Sequence, residues 1–145
     1  MNAPAPALLF VCVENSCRSQ MAEGFARAIG GARVGAFSAG SRPSGVVNPR
    51  AIELMREKGI DLTVQRSKGL GELPGLHWDY VVTMGCGDAC PVLPARHRLD
   101  WDLPDPKHLD DDGFRAVRDR IEALVADLIA AAGDQPAQGR APDRG

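Results

Sequence analysis

Leu8 to Val13 is six consecutive apolar residues. A strand with one wet face alternates polar and apolar side chains. An unbroken apolar run of this length is what a parallel strand covered on both faces requires. The run stops at Glu14-Asn15-Ser16-Cys17-Arg18-Ser19, which is polar and turn-like, and passes directly into SQMAEGFARAIG. There Met21, Phe25 and Ala28 or Ile29 share one helical face. Residues 1–6 read as a loose leader, so the folded chain opens as strand, polar loop, helix.

The same alternation continues. Val34 to Ser38 reads as a second strand, followed by the Gly/Pro/Ser-rich loop 39–47. Asn48 is a good N-cap and Pro49 a good first helical residue for PRAIELMREKG, with Gly59 as its stop. Residues 60–78 are mixed and hold one short irregular helix. Asp79 to Met84 reads as a third buried strand and His97 to Trp101 as a fourth, short one. From Phe114 to Ala132, Val117, Ile121, Leu124, Val125, Leu128 and Ile129 recur on one helical face. Strands alternating with helices predict an α/β three-layer sandwich with a four-stranded parallel sheet. A single catalytic domain over 1–132 is expected, with a disordered C-terminal tail over 133–145.

Composition narrows the function classes. Lys plus Arg (17) nearly balance Asp plus Glu (19), and the net charge of -2 gives no electrostatic reason to expect nucleic acid or an anionic membrane as partner. MNAPAPALLFVCV carries neither the basic n-region nor the long apolar stretch of a signal peptide, and no run approaches the roughly 20 apolar residues of a membrane span. The chain is therefore expected in the cytoplasm, as a monomer. Its four cysteines are there expected to serve catalysis or redox chemistry rather than structural disulfides.

In open parallel sheets the chemistry sits at the carboxyl ends of the strands. Cys12 lies at such an end, and Arg18 opens the following helix. The loop of Val13, Glu14, Asn15, Ser16, Cys17, Arg18 and Ser19 closes onto that helix N-terminus. Inward N–H groups and the helix dipole make an anion site. Arg18 adds a permanent cation whose planar fork suits two oxygens of a tetrahedral oxyanion. Helix N-termini and nearby arginines also favour the thiolate, so Cys12 is a candidate nucleophile against the central atom of the bound anion. A bare C-x5-R pattern arises often by chance; its place after the first apolar strand gives it weight.

CVENSCRSQMAEGFAR resembles the low-molecular-weight tyrosine phosphatase family, and NSCRSQMAEG is more similar to its arsenate reductase branch, since the phosphatases usually carry Pro where Gln20 stands. The resemblance continues through FSAGSRPSGVVNPRAI, DYVVTMGCGDACP and WDLPDP to FRAVRDRI, covering roughly residues 7–130. It implies that Asp105, before Pro106, is the general acid that protonates the departing oxygen. It implies an active arsenate-reducing enzyme in which Cys86 and Cys90, in MGCGDACP, relay electrons to an external thiol reductant. In that branch Cys12 attacks arsenate, Cys86 takes the disulfide and Cys90 resolves it. A phosphatase needs only Cys12, Arg18 and Asp105, so hydrolysis of phosphotyrosine or small phosphoesters is the alternative activity. A catalytically idle oxyanion-binding module is disfavoured by the intact trio.

The sequence departs from the family pattern in two places. Gly85 follows Thr83-Met84, Cys86 comes one residue later and the gap to Cys90 is short. Glu14 replaces a glycine common in the loop. The order of Cys86 and Cys90 therefore stays open, as does the reductant: thioredoxin, glutaredoxin with glutathione, or another low-molecular-weight thiol. Gly85 and Gly87 make the segment flexible enough for a cysteine to swing inward. Cys17 is either a partner that traps and protects Cys12 or a small residue facing the helix. Cys86, Cys90 and His97 offer three zinc ligands where structural zinc usually takes four, so no metal is expected. No tightly bound cofactor is expected either. Asn15 should hold the loop by side-chain bonds to its backbone, and Ser19 should donate to Cys12. Asn15, Glu23 and Ser38 match three ligands of the family's potassium-binding members. Lys68 stands at the fourth, an ammonium in place of the cation.

Overall fold

The computed structural model of the chain describes residues 5–75, 77–85 and 92–133. Strand β1 (Ala7–Cys12) lies inside an all-parallel, four-stranded sheet of order β2-β1-β3-β4, with β2 at Gly35–Gly40, β3 at Tyr80–Thr83 and β4 at His97–Asp100. All six residues of β1 are buried. The pleat divides them: Leu8, Phe10 and Cys12 join one core cluster, and Ala7, Leu9 and Val11 the other. That two-sided burial is why the run shows no polar alternation. The strand starts and ends one residue earlier than the sequence suggests. Pairing ceases at Cys12 with Gly40, and the Val13 carbonyl turns out to accept from the Arg42 N–H at 2.8 Å. Nor is the leader loose up to Pro6, whose carbonyl accepts from the Gly35 N–H at 2.8 Å.

Three helices, α1 (Arg18–Gly30), α2 (Pro49–Arg56) and α3 (Asp111–Gly133), contribute to one cluster with the first face of the sheet. Met21, Phe25, Leu54, Met55, Phe114 and Ile121 are its largest helical side chains. Phe37, Leu70, Leu73, Leu93 and Ala95 pack against the cluster on the opposite face, beside Trp78. Among the described residues, irregular connections and one short 3-10 turn therefore cover this face, with no α-helix in the cluster. Within 60–78 the chain forms two short 3-10 turns, Leu62–Val64 and Leu70–Glu72, where one irregular helix is expected.

The helix ends follow local chemistry. The Asn48 carboxamide oxygen accepts from the Arg50 N–H at 2.8 Å and Pro49 opens α2. α2 ends at Arg56, before Gly59, because the N–H groups of Lys58 and Gly59 form tight turns back to Met55 and Arg56. α3 begins three residues before Phe114, since Asp110 accepts from the Gly113 N–H at 2.8 Å and Asp111 and Asp112 suit the positive end of the helix dipole. It also takes in Gly133, expected in the tail; residues 134–145 lie outside the described residues. Among the described residues no helix is long and apolar enough to cross a membrane.

Candidate active site

Cys12 ends β1, and Arg18 begins α1 five residues after the loop leaves the sheet. The Ncap of α1 is Cys17, which makes no side-chain capping bond, and the first turn holds no acidic residue. The donors of that turn are thus not spent on the protein's own side chains. They suit an external anion instead. A cleft of about 240 Å³ opens here, lined by Cys12, Val13, Glu14, Ser16, Cys17, Arg18 and Asp105.

Asn15 sets the loop shape. Its φ of 51° is left-handed, a conformation that asparagine tolerates better than most residues. Its amide nitrogen donates to the hydroxyls of Ser19 at 2.8 Å and Ser38 at 3.0 Å. Its side-chain oxygen accepts from the Gln20 amide at 2.8 Å and the Lys68 N–H at 2.9 Å. The expectation that Asn15 bonds the loop backbone is thus only partly met; most of its partners are side chains, and its backbone partner is on the 68 segment. The Ser19 oxygen lies 2.8 Å from Cys12 Sγ. The Asn15 amide also donates to that oxygen, and toward a Cys12 thiolate, which can only accept, the Ser19 hydroxyl is the donor.

Gly40 lets the loop pass close: a Cβ there would meet the Val13 carbonyl oxygen at 2.5 Å. Behind the loop Ser38 donates to Glu23, and the Lys68 ammonium lies 3.4 Å from both Glu23 Oε1 and Ser38 Oγ and 3.2 Å from the Arg66 carbonyl. Gln20, at the position distinguishing the two branches, is fully buried and also donates to the carbonyls of Asn15 at 3.1 Å and Arg66 at 2.9 Å.

Arg18 donates to the Leu103 carbonyl at 2.9 Å, tying the α1 start to the segment that carries Asp105. Gly85, at the end of β3, sits against this contact with φ of 77°. A Cβ there would lie 2.8 Å from the Leu103 oxygen and 3.0 Å from the Arg18 guanidinium. Its glycine is demanded by conformation and space, a reason the flexibility argument does not contain. Asp105 caps the turn Pro106–His108 by accepting from the Lys107 N–H at 3.1 Å, and the Lys107 ammonium bonds the Glu14 carboxylate at 2.9 and 3.0 Å.

Cys12 and Cys17 are both buried free thiols. Burial pushes the Cys17 thiol up to about 11, outweighing the Ser16 hydroxyl bond that pulls the other way, so Cys17 is a neutral thiol at physiological pH. Cys86 and Cys90 lie outside the described residues. The structure thus brings together Cys12, Arg18, Asp105 and the loop from Val13 to Ser19. It adds Leu103 and Lys107, which had no sequence signal, and gives Gly85 a fitted place where the sequence suggests a flexible one. His97 stacks on Tyr80 with ring centroids 4.6 Å apart. Among the described residues no group of three or more His, Cys, Asp or Glu side chains could hold a metal.

A cysteine beneath an uncapped helix N-terminus, an arginine fork and a carboxyl on one cleft are the groups that thiol chemistry on a tetrahedral oxyanion would use. Residues 7–137 match the low molecular weight phosphotyrosine protein phosphatases, and the chain belongs to that family. The glutaredoxin arsenate reductase of Synechocystis sp. is 39% identical over 126 residues, 85% of this chain and 95% of that protein. Arsenate reductase 1 of Staphylococcus epidermidis is 43% identical over 122 residues, 81% of this chain and 91% of that protein. Among solved structures, an arsenate reductase in its phosphate binding state superimposes with a TM-score of 0.80 at 37% identity, covering 88% of this chain and 98% of that one. A thioredoxin-dependent arsenate reductase of Corynebacterium glutamicum gives 0.74 at 31% identity, covering 91% of this chain and 64% of that one.

Proposed function

We propose that the protein reduces arsenate to arsenite, with Cys12 as nucleophile and an external thiol as electron source. The observation that carries this reading is that Cys12, Arg18 and Asp105 line one cleft. The relatives' names favour reduction over hydrolysis. Arsenate enters with its oxygens on the first-turn N–H groups of α1 and on Arg18. The Cys12 thiolate, steadied by the Ser19 hydroxyl, forms an S–As bond, and the departing oxygen leaves as water with a proton from Asp105. The Cys86 thiolate then attacks the Cys12 sulfur. The S–S bond forms as the S–As bond breaks, the electron pair stays on arsenic, and As(V) becomes As(III). Cys90 attacks Cys86, frees Cys12 and leaves a Cys86–Cys90 disulfide for the reductant.

The thioredoxin dependence of one relative and the glutaredoxin in another's name support a dithiol reductant of that class. The protein works as a monomer in the cytoplasm, where such reductants keep thiols reduced, and needs no tightly bound cofactor. Lys68 replaces the potassium ion behind the loop.

The test follows arsenate-dependent NADPH oxidation with thioredoxin and its reductase, or with glutaredoxin and glutathione, alongside aryl phosphate hydrolysis. The wild type should reduce arsenate over many turnovers, and Cys86→Ser and Cys90→Ser should each lose multiple turnover. Full turnover in both variants would refute the relay. Phosphate ester hydrolysis without arsenate reduction would favour the phosphatase reading, for which the family match and the trio alone suffice.

A further inference from the structure

We propose that Glu14 and Lys107 form a latch that holds Asp105 over the oxyanion loop, making Glu14 a positioning residue for the bond-breaking step; this rests on the arsenate-reducing reading above. The backbone of Glu14 does not depend on its side chain. Its carbonyl accepts from the Ser44 N–H and from the Ser67 hydroxyl, both at 3.0 Å. The carboxylate instead reaches across the cleft rim to the Lys107 ammonium, at 2.9 and 3.0 Å. Lys107 is the residue whose N–H the Asp105 carboxylate caps, so the loop bearing the nucleophile grips the turn bearing the acid.

The other anchors of this segment lie on either side. Arg18 holds the Leu103 carbonyl at 2.9 Å, and Arg50 holds the Leu109 carbonyl at 2.8 Å. Between them Lys107 holds Glu14 tightly, and its ammonium also reaches the acid itself at the longer distance of 4.0 Å.

The latch also decides where a charge goes. The Lys107 ammonium is 4.0 Å from Asp105 Oδ2, further than from either Glu14 oxygen. Around Asp105 stand Lys107 on its own turn, Glu14 from the loop, and Cys12, Cys17 and Arg18 across the cleft. Without the Glu14 carboxylate the ammonium has one carboxylate left to approach, Asp105. An acid paired with a close cation gives up its proton at lower pH and stands unprotonated when the departing oxygen needs it. The pair itself is partly exposed and contributes little to folding.

The experiment compares wild type, Glu14→Gln, Lys107→Met and the double variant in single-turnover arsenate consumption across pH, with phenyl phosphate hydrolysis and Lys107 amide exchange measured in parallel. Glu14→Gln should slow the arsenate-consuming step about fivefold. It should move the alkaline limb of the rate profile to lower pH and speed Lys107 exchange, while the melting temperature stays near wild type. In the Lys107→Met background Glu14→Gln should no longer move that limb. A limb and exchange rate unchanged in Glu14→Gln, or a shift of the limb that persists without Lys107, overturns the latch. Phenyl phosphate hydrolysis and amide exchange need no arsenate chemistry. A wild type inactive on arsenate, whose Glu14→Gln variant still shows the shifted limb on phenyl phosphate and faster exchange, sinks the function and keeps the latch.

Discussion

Asn15 saturates its carboxamide, with two donors and two acceptances all made inside the protein. Removing it leaves the Ser19 and Ser38 oxygens, the Gln20 amide and the Lys68 N–H without that partner, in a region closed to solvent, and it removes a residue suited to φ of 51°. Asn15→Ala is expected to cost about 3 kcal/mol, since each orphaned buried group costs about 1–3 kcal/mol and local rearrangement recovers some of them. Urea unfolding measures it; a loss under about 1 kcal/mol would show that the loop keeps its shape by other contacts. Activity should fall further than stability, because the same amide holds the Ser19 hydroxyl that lies 2.8 Å from Cys12 Sγ. At this scale the sequence was informative where side chains do the work: Cys12, Arg18, Ser19, Asn15 and Asp105 carry chemistry in their identity. It was silent on the Leu103 carbonyl, which Arg18 reaches across 85 positions, because any residue supplies a carbonyl. Gly85 was read as a hinge because a glycine's letter does not say whether it is there to move or to fit.

The joint between α2 and α3 shows the same division one level up. The repeat through Val117, Ile121, Val125 and Leu128 made α3 legible, and all four are buried. Arg118, buried on the same helix, was not, since an apolar repeat passes over a cation whose stem packs while its head finds partners. Its guanidinium donates to the Leu54 carbonyl at 2.9 Å and to Glu57 at 2.6 Å, and Arg115 adds bonds to Glu57 at 3.0 and 2.9 Å. Hydrogen bonds from Arg115 first, then Arg118, hold the Glu57 carboxyl down at about 2, against 4.5 for the free group. A carboxyl whose folded value lies below its unfolded one stabilises the fold above the unfolded value and loses that contribution as pH falls towards the folded one. The melting temperature of wild type should therefore exceed that of Glu57→Gln by a constant margin from neutral pH down to about 5.5, and the margin should shrink between about 4.5 and 2. Thermal scans of both proteins across that window check it. A margin independent of pH would mean that the joint is held by packing, with charge playing no part.

At the scale of the whole molecule, the cleft joins parts of the chain that only the fold makes neighbours: the end of β1, the start of α1, the Gly85 turn after β3 and the Leu103–Asp105 segment before α3. An unbroken apolar run marks β1, and strands alternating with helices imply a parallel sheet, at whose carboxyl edge such folds place their chemistry. The edge strand β4, with Arg98, Leu99 and Asp100 exposed, has no such run, and the sequence reading to Trp101 overruns its observed end by one residue. The third layer was least legible because it consists of irregular connections, which carry no period. A site assembled from distant segments couples its ligand to global stability: an anion held between the loop after β1, the start of α1 and the Asp105 segment binds only the folded chain. Phosphate, the unreactive analogue of arsenate, should therefore raise the melting point by mass action. At one hundred times its Kd the gain is about 2.7 kcal/mol, or on the order of 8 °C for a domain of this size. Arg18→Ala, which loses the fork and the Leu103 tether together, should start from a lower melting point and gain almost nothing from the same phosphate. Calorimetry over a phosphate series, at fixed ionic strength set with chloride, separates specific binding from salt effects. A shift of equal size in wild type and Arg18→Ala would show that the anion acts elsewhere on the surface and that this cleft is not where the oxyanion binds.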